Sequence, residues 1–226
     1  MSLLNFELDL SKNRNFNLIG GIDEVGRGCL AGPLVTAIVV IDIKNIQNKT
    51  DDERFFENIE QIKDSKKLTE KKRKFLSDFI KNKLATFFHI QEITNNDIDK
   101  LGISKATNQS FLANYNEAIK KHNLDYLITD AFSIKEVSQE KQLKLVKGDN
   151  TSLCVASASI IAKVYRDELM TNMAKENAFQ AFSFAIHKGY GTAKHLEEIR
   201  NHGITTLHRK SFEPIKSKIN FLTLNK

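Results

Sequence analysis

Apolar residues recur along this chain with two periods, and the change from one to the other predicts its elements. Residues 17–22, Asn-Leu-Ile-Gly-Gly-Ile, form a short apolar run leading into Asp23. Residues 34–42, Leu-Val-Thr-Ala-Ile-Val-Val-Ile-Asp, are a β-branched stretch set off by Gly32-Pro33. Both read as strands, the second a buried one. Residues 44–63 are polar and without period, which predicts an irregular surface excursion. From Thr69, whose hydroxyl can cap a helix, Phe75, Leu76, Phe79, Ile80 and Leu84 return at helical spacing. A strand at 84–93 comes next, then a helix carrying Ile103, Thr107, Phe111, Tyr115 and Ala118. A strand at 126–129 ends on Asp130, and a shorter one at 143–147 reaches Asp149. Residues 152–170 are helical and rich in Ala and Ser, small side chains that let backbones pack closely; shorter helical stretches follow near 192–202 and 214–222. Strands and helices therefore mix, with helices prevailing late, which predicts an α/β layered domain with a helical C-terminal part.

Composition narrows the class without deciding it. The 226 residues suit one ordinary domain, and a hydrophobic share of 41 % is enough for a core. No apolar run approaches the ~20 residues of a membrane helix, and the opening Met1-Ser2-Leu3-Leu4-Asn5-Phe6-Glu7 lacks the basic flank and apolar stretch of a signal peptide. The expectation is a cytoplasmic protein, a monomer, with no membrane partner. Cys29 and Cys154 sit among small apolar residues and read as buried reduced thiols. A net charge of +6 and a pI near 9.1 are compatible with a polyanionic partner.

The candidate chemistry lies where strands end. Asp23-Glu24 closes the first strand, Asp130 a later one, and Asp149 follows Lys147-Gly148 at the end of another. Any one Asp at such a place could be a turn or helix cap; the set suggests more. Side chains alternate along a strand, so Asp23 and Glu24 share a site only if Glu24 already lies in the Gly-containing turn. Carboxylates gathered at strand ends suit Mg²⁺ or Mn²⁺, hard ions that prefer oxygen and keep positions open for phosphate. A pair of such ions ~3.5–4 Å apart can drive phosphodiester cleavage.

The neighbours of these acids carry a resemblance. Gly21-Ile22-Asp23-Glu24-Val25-Gly26-Arg27-Gly28 with Ala31-Gly32-Pro33, Asp64-Ser65-Lys66-Lys67-Leu68, Thr129-Asp130, Lys147-Gly148-Asp149, the run from Ala156 to Asp167, His187-Lys188-Gly189-Tyr190-Gly191-Thr192 and His208-Arg209-Lys210-Ser211-Phe212 occur in order over roughly residues 20–213. In this the chain resembles the ribonuclease HII family. It departs from the family pattern in a longer stretch before Asp64 and in Ala131, where Gly is commoner. Gly26-Arg27-Gly28 and the short N-terminus favour type HII over type HIII.

The resemblance implies a ribonuclease-H-like mixed sheet flanked by helices, one catalytic domain over 1–226, with a core at about 15–185 and a helical C-terminal part at about 186–226. It implies an endonuclease that hydrolyses the RNA strand of RNA–DNA hybrids and cuts 5′ of ribonucleotides embedded in duplex DNA, leaving 3′-hydroxyl and 5′-phosphate ends. Asp23, Glu24, Asp130 and Asp149 would be the catalytic and metal-binding residues, with Mg²⁺ or Mn²⁺ as cofactor. Gly26, Arg27 and Gly28 would meet the ribose 2′-hydroxyl, and Tyr190 the ribonucleotide–deoxyribonucleotide junction. Lys66, Lys67, Arg27, Arg209 and Lys210 would grip phosphates. His187, His195, His202 and His208 are expected at the surface or on phosphate, since a metal mechanism requires no histidine. The competing functions are a metal-independent ribonuclease, which would leave cyclic phosphates and ignore chelators, and a silent nucleic-acid-binding module. Clustered acids facing a polyanion count against the latter unless a metal neutralises them.

Overall fold

The computed structural model describes residues 2–49, 52–62 and 68–217. The strands are β1 (Leu18–Val25), β2 (Leu34–Asp42), β3 (Phe87–Ile93), β4 (Tyr126–Asp130) and β5 (Gln142–Leu145). They form one mixed five-stranded sheet in the order β3-β2-β1-β4-β5, flanked by helices. β1 pairs in parallel with β4, Ile22 opposite Thr129, and β4 in parallel with β5, Asp130 opposite Leu145. A parallel pair requires a crossover connection, and helices supply it between β1 and β4: α4 (Glu70–Phe79), α5 (Asn95–Leu101) and α6 (Ile103–Lys121). The fold-class expectation holds, as do the strand and helix expectations for β1, β2, β4, α4 and α6; α5 is not among the expected elements, and β5 stops at Leu145, short of the expected 147.

Two compact units divide the chain. The first comprises Met1–Val25, Thr36–Gln91 and Asn108–Val164; the second comprises Gly26–Val35, Glu92–Thr107 and Tyr165–Lys226. In the first, Ile22, Ile38, Val40, Phe111, Ala118, Leu127, Ile134 and Val137 form the core. A buried polar chain stitches it together: Asn114 Nδ2 donates to Thr36 Oγ1 at 2.6 Å, the Thr36 and Ser110 hydroxyls lie 2.6 Å apart, and His89 Nδ1 is 2.9 Å from Asn114 Oδ1. β1 is covered by α7 (Leu153–Met173) at van der Waals limits, since a Cβ on Gly21 would lie 2.3 Å from the Cys154 carbonyl carbon. Only Gly at that position and small residues on the helix allow this approach. Both cysteines are buried free thiols.

Two local readings need correction, and a third falls largely outside the described residues. The described residues of the span 44–63 are largely helical: α2 (Ile43–Gln47) is capped by Asp42, and α3 (Glu53–Glu60) by Asp52, burying Ile46, Phe55 and Ile59. Aspartate caps nucleate helices too short to show a period. The strand expected from residue 84 starts at Phe87, because α4 continues through a wide π turn at Ile80–Leu84. Most of the helix expected at 214–222 lies outside the described residues; within them 215–217 are helical and Ile215 is buried in the second unit.

The pattern also hides α1 (Leu4–Arg14), whose apolar residues alternate like a strand's while it buries Leu4 and Glu7. Glu7 is wholly buried in the first unit, its Oε1 accepting from Ser152 Oγ at 2.6 Å and Cys154 N at 3.1 Å. It thus caps in trans the N-terminus of α7, where main-chain donors have no helical partner. Burial pushes its pKa up to about 7, although those hydrogen bonds oppose the rise.

A group that binds its proton more tightly when folded stabilises the protein below its unfolded pKa, and that stability is lost as pH rises through the folded pKa. Stability due to Glu7 should therefore fall between about pH 4.5 and 7. The shift is worth about 3 kcal/mol at ~1.4 kcal/mol per unit. Glu7→Gln, which cannot ionise, should gain on the wild type by roughly 6–12 °C in Tm between pH 4.5 and 8. Thermal melts across that range check it; a difference in Tm that stays constant with pH would show that Glu7 does not titrate there.

Candidate active site

The acids named from the sequence are gathered on the first unit. Asp23, in the buried run of β1, is 6 % exposed, and its Oδ1 accepts the Glu24 N–H at 2.7 Å. β1 continues to Val25, so Glu24 lies within the strand and half-buried, not in the turn as the sharing condition assumed. Asp130 ends β4, its Oδ1 accepting the Gly148 N–H at 2.7 Å. That bond fixes the next turn, a short 3₁₀ segment at Gly148–Asn150 carrying the buried Asp149. Ala131, where the family pattern has Gly more often, takes the left-handed conformation at φ 55°, a strain of roughly 1–2 kcal/mol for a side chain.

Electrostatics ties these groups together. The Asp23 pKa is pushed up to about 7, first by burial and then by the charges of Asp130 and Asp149, against a hydrogen bond from Ser159 of α7. No group of three or more His, Cys, Asp or Glu side chains among the described residues is drawn in to metal-holding spacing. The donor chemistry nevertheless fits a hard divalent cation. Asp23, whose carboxyl is pushed up by burial and by the charges of Asp130 and Asp149, lacks only a positive charge nearby, and the ligand atoms of all three are oxygen. Asp23, Asp130 and Asp149 would hold such an ion, and Glu24 follows Asp23 along β1.

The other named residues lie on the second unit or beyond the described residues. Lys66 and Lys67 are in the latter group. Gly26 has φ +88°, and a Cβ there would lie 2.2 Å from Arg166 Nε; beside Gly28 there is open space. Two fully buried arginines hold this turn by its carbonyls. Arg166 donates to Pro33 O, Lys188 O and Ala31 O at 2.8–3.0 Å, and Arg209 to Gly32 O and Arg27 O at 2.9–3.0 Å. Arg209, expected on phosphate, spends its guanidinium on main chain. Lys210 is exposed, its N–H donating to Asp99 Oδ2 at 2.8 Å. Tyr190 is 37 % exposed, with its ring centroid 5.6 Å from the Arg166 guanidinium carbon. Burial of the hydroxyl pushes its pKa up to about 12.

The histidines correct an expectation. His187, His195 and His208 are buried, hydrogen-bonded to protein, and held below the usual imidazole pKa by desolvation, His208 at about 4. Only His202 is exposed. Sequence reasoning also missed Arg166, since an Arg inside a helix gives no sign that its head is buried.

The family model described as Ribonuclease HII matches residues 20–215. The chain belongs to the ribonuclease HII family. Among curated relatives, Ribonuclease HII of Endomicrobium trichonymphae is 37 % identical over 94 % of this chain and 93 % of its own length. Ribonuclease HII of Clostridium beijerinckii is 40 % identical over 92 % of this chain and 71 % of its own. Of solved structures, ribonuclease H2 from Pyrococcus horikoshii superposes with TM-score 0.70 at 22 % identity over 91 % of this chain and 99 % of that one. A ribonuclease HIII called Bst-RNase HIII, in complex with Mn²⁺, gives 0.66 at 20 % over 91 % and 70 %. These last two likenesses carry the fold. Ribonuclease HII membership makes the chain an endoribonuclease hydrolase of the ribonuclease H class, acting on RNA–DNA hybrids.

Two late aspartates, Asp149 after Lys147-Gly148 and Asp167 after Arg166, are candidates for the fourth acid, and their surroundings differ. Asp149 acts on Asp23, whereas Asp167, half-buried on α7 in the second unit, acts on Tyr190. Asp149→Asn should cut cleavage by roughly 100-fold or more, the scale of losing a charge aimed at the reacting atoms, with Tm equal or higher because repulsion is relieved. Asp167→Asn should lower Tm and keep much of the activity per folded molecule. Melting and kinetics on both variants check this; an active Asp149→Asn, or a stable and dead Asp167→Asn, would reverse the assignment.

Proposed function

We propose that this ribonuclease HII chain cuts on the 5′ side of ribonucleotides embedded in duplex DNA as well as within RNA–DNA hybrids, by two-metal-ion hydrolysis leaving 3′-hydroxyl and 5′-phosphate ends. The observation that carries the reading is the electrostatic coupling of Asp23 to Asp130 and Asp149. When bound, Mg²⁺ or Mn²⁺ would supply activation of the attacking water and stabilisation of the leaving oxygen. The chain's residues do the rest. Asp23, Asp130 and Asp149 present oxygen ligands, Glu24 is assigned with them on the family resemblance alone because within β1 it alternates with Asp23, and the Asp130–Gly148 hydrogen bond holds the Asp149 turn in place.

Substrate reading is assigned to the second unit and the lysine pair. The open side of Gly28 leaves room for a sugar to approach main chain, and a 2′-hydroxyl there distinguishes RNA from DNA. Tyr190 offers a face and a hydroxyl at the junction. Arg27, Lys210, Lys66 and Lys67 are assigned to phosphates. Gly26 shapes the turn, and Arg209 contributes by clamping its carbonyls. The same proposal takes residues 1–226 as one catalytic domain, acting as a monomer in the cytoplasm in ribonucleotide excision repair.

A duplex containing one ribonucleotide, incubated with Mg²⁺ or Mn²⁺ and again with excess EDTA, tests this reading by end-group analysis. The expected result is a single cut on the 5′ side of the ribonucleotide with 3′-hydroxyl and 5′-phosphate ends, lost with EDTA. Undiminished cleavage in EDTA, or cyclic phosphate products, would overturn it.

A further inference from the structure

The buried histidines of the second unit form two hydrogen-bonded chains that both end on the turn carrying Tyr190. In the first, His208 Nδ1 accepts from the Thr205 N–H at 2.8 Å, with the Thr205 hydroxyl 3.0 Å away and itself accepting from Leu207 N. A neutral His208 must therefore carry its proton on Nε2, which faces His195 Nε2 at 3.1 Å. His195 Nε2 is then the acceptor, so its proton sits on Nδ1 and is donated to the Tyr190 carbonyl at 3.0 Å. The order is forced at each step, because a neutral imidazole has one donor and one acceptor. In the second chain, His187 Nδ1 accepts the Gly189 N–H at 3.1 Å and its Nε2 donates to Glu198 Oε2 at 2.8 Å. The His187 and His195 rings stack with centroids 4.1 Å apart and planes 12° from parallel.

The turn they hold is also bound to the glycine-rich loop. Gly189 O accepts from Leu30 N at 2.8 Å, and Tyr190 N donates to His187 O at 2.9 Å. Gly189 has φ +82°, and a Cβ there would lie 2.3 Å from Ala31 O, so the turn has little freedom to move away. We propose that His195, relayed by His208 and stacked on His187, is a positioning residue for Tyr190: its Nδ1–H, in an unusual but fixed neutral tautomer, sets the main chain of the residue that reads the ribonucleotide junction. This rests on the assignment of Tyr190 above. Protonating His195 would set two N–H groups against each other at Nε2, so the latch works only while the cluster is neutral. The charged and titratable groups around it are Glu198 and Lys194 of α8 (Ala193–His202), His187 and His208. Desolvation and mutual repulsion keep the three rings unprotonated, in keeping with the geometry.

Two measurements test it. Long-range ¹⁵N–¹H spectra of histidine-labelled wild-type protein at pH 7.5 should show His195 protonated on Nδ1 and His208 and His187 on Nε2. His195 protonated on Nε2, or on both nitrogens, would overturn the proposal whatever any variant does. Kinetics on the duplex with one ribonucleotide form the second arm. His195→Asn places an amide N–H where Nδ1 lies and should keep kcat/KM within about threefold of wild type, whereas His195→Gln places it where Nε2 lies and should lose about tenfold. Mn²⁺ affinity measured by EPR should be unchanged in both. Equal kinetics for the two variants would overturn the latch. Tyr190→Ala, run alongside, separates the two levels: wild-type kinetics there would remove Tyr190 from the junction, while the spectra still decide the tautomer.

Discussion

Buried like charges repel, and the first unit is organised around keeping such charges close. Asp23 lies inside the sheet within the field of Asp130 and Asp149, and in the absence of a cation it answers by holding its proton to about pH 7. Each neighbouring feature reduces the freedom of these acids to separate. Gly21 lets α7 press on β1, Ser159 of that helix bonds the Asp23 carboxylate, and Asp130 grips the Gly148 N–H. Glu7 reaches from α1 to fasten the helix start three residues beyond the Asp149 turn. Order of this kind lowers the reorganisation needed when a cation and a phosphate arrive.

The second unit solves the opposite problem. Its loop from Gly26 to Pro33 has carbonyls turned inward, and Arg166 and Arg209 are buried to satisfy them. A guanidinium offers five donors in a fixed fork, which suits it to clamping several carbonyls at once. The positive charge of both arginines is thereby spent inside the protein, while Lys210 is exposed. Tyr190 stacks over one of those guanidiniums, so its ring shares the anchor of the loop.

Much of this was legible in the sequence, and the failures have physical causes. The β-branched run at 34–42 and the Ala/Ser-rich run at 152–170 announce a buried strand and a closely packed helix, and both are found. Asp130 and the Asp149 turn were visible because the parallel strands β4 and β5 deliver their C-terminal ends to one edge, whereas Asp23 lies within β1. By contrast, α2 and α3 rest on Asp caps too local for periodicity, and α1 alternates Leu4, Phe6, Leu8 and Leu10 like a strand. The destinations of Arg209 and the histidines depend on which carbonyls the fold brings near them, and no spacing records that. Residue types that usually mark a surface were therefore placed there wrongly.

In the proposed function Asp23, Asp130 and Asp149 hold a divalent cation, which would relieve the repulsion that raises the Asp23 pKa. The direct measurement is the proton released when Mg²⁺ or Mn²⁺ binds, obtained by calorimetric titration at pH 7 in buffers of different ionisation enthalpy. With Asp23 near half-protonated at that pH, binding should expel about half a proton per protein, falling toward zero by pH 9. Binding with no proton release at pH 7, or no saturable binding of either ion, would contradict the account.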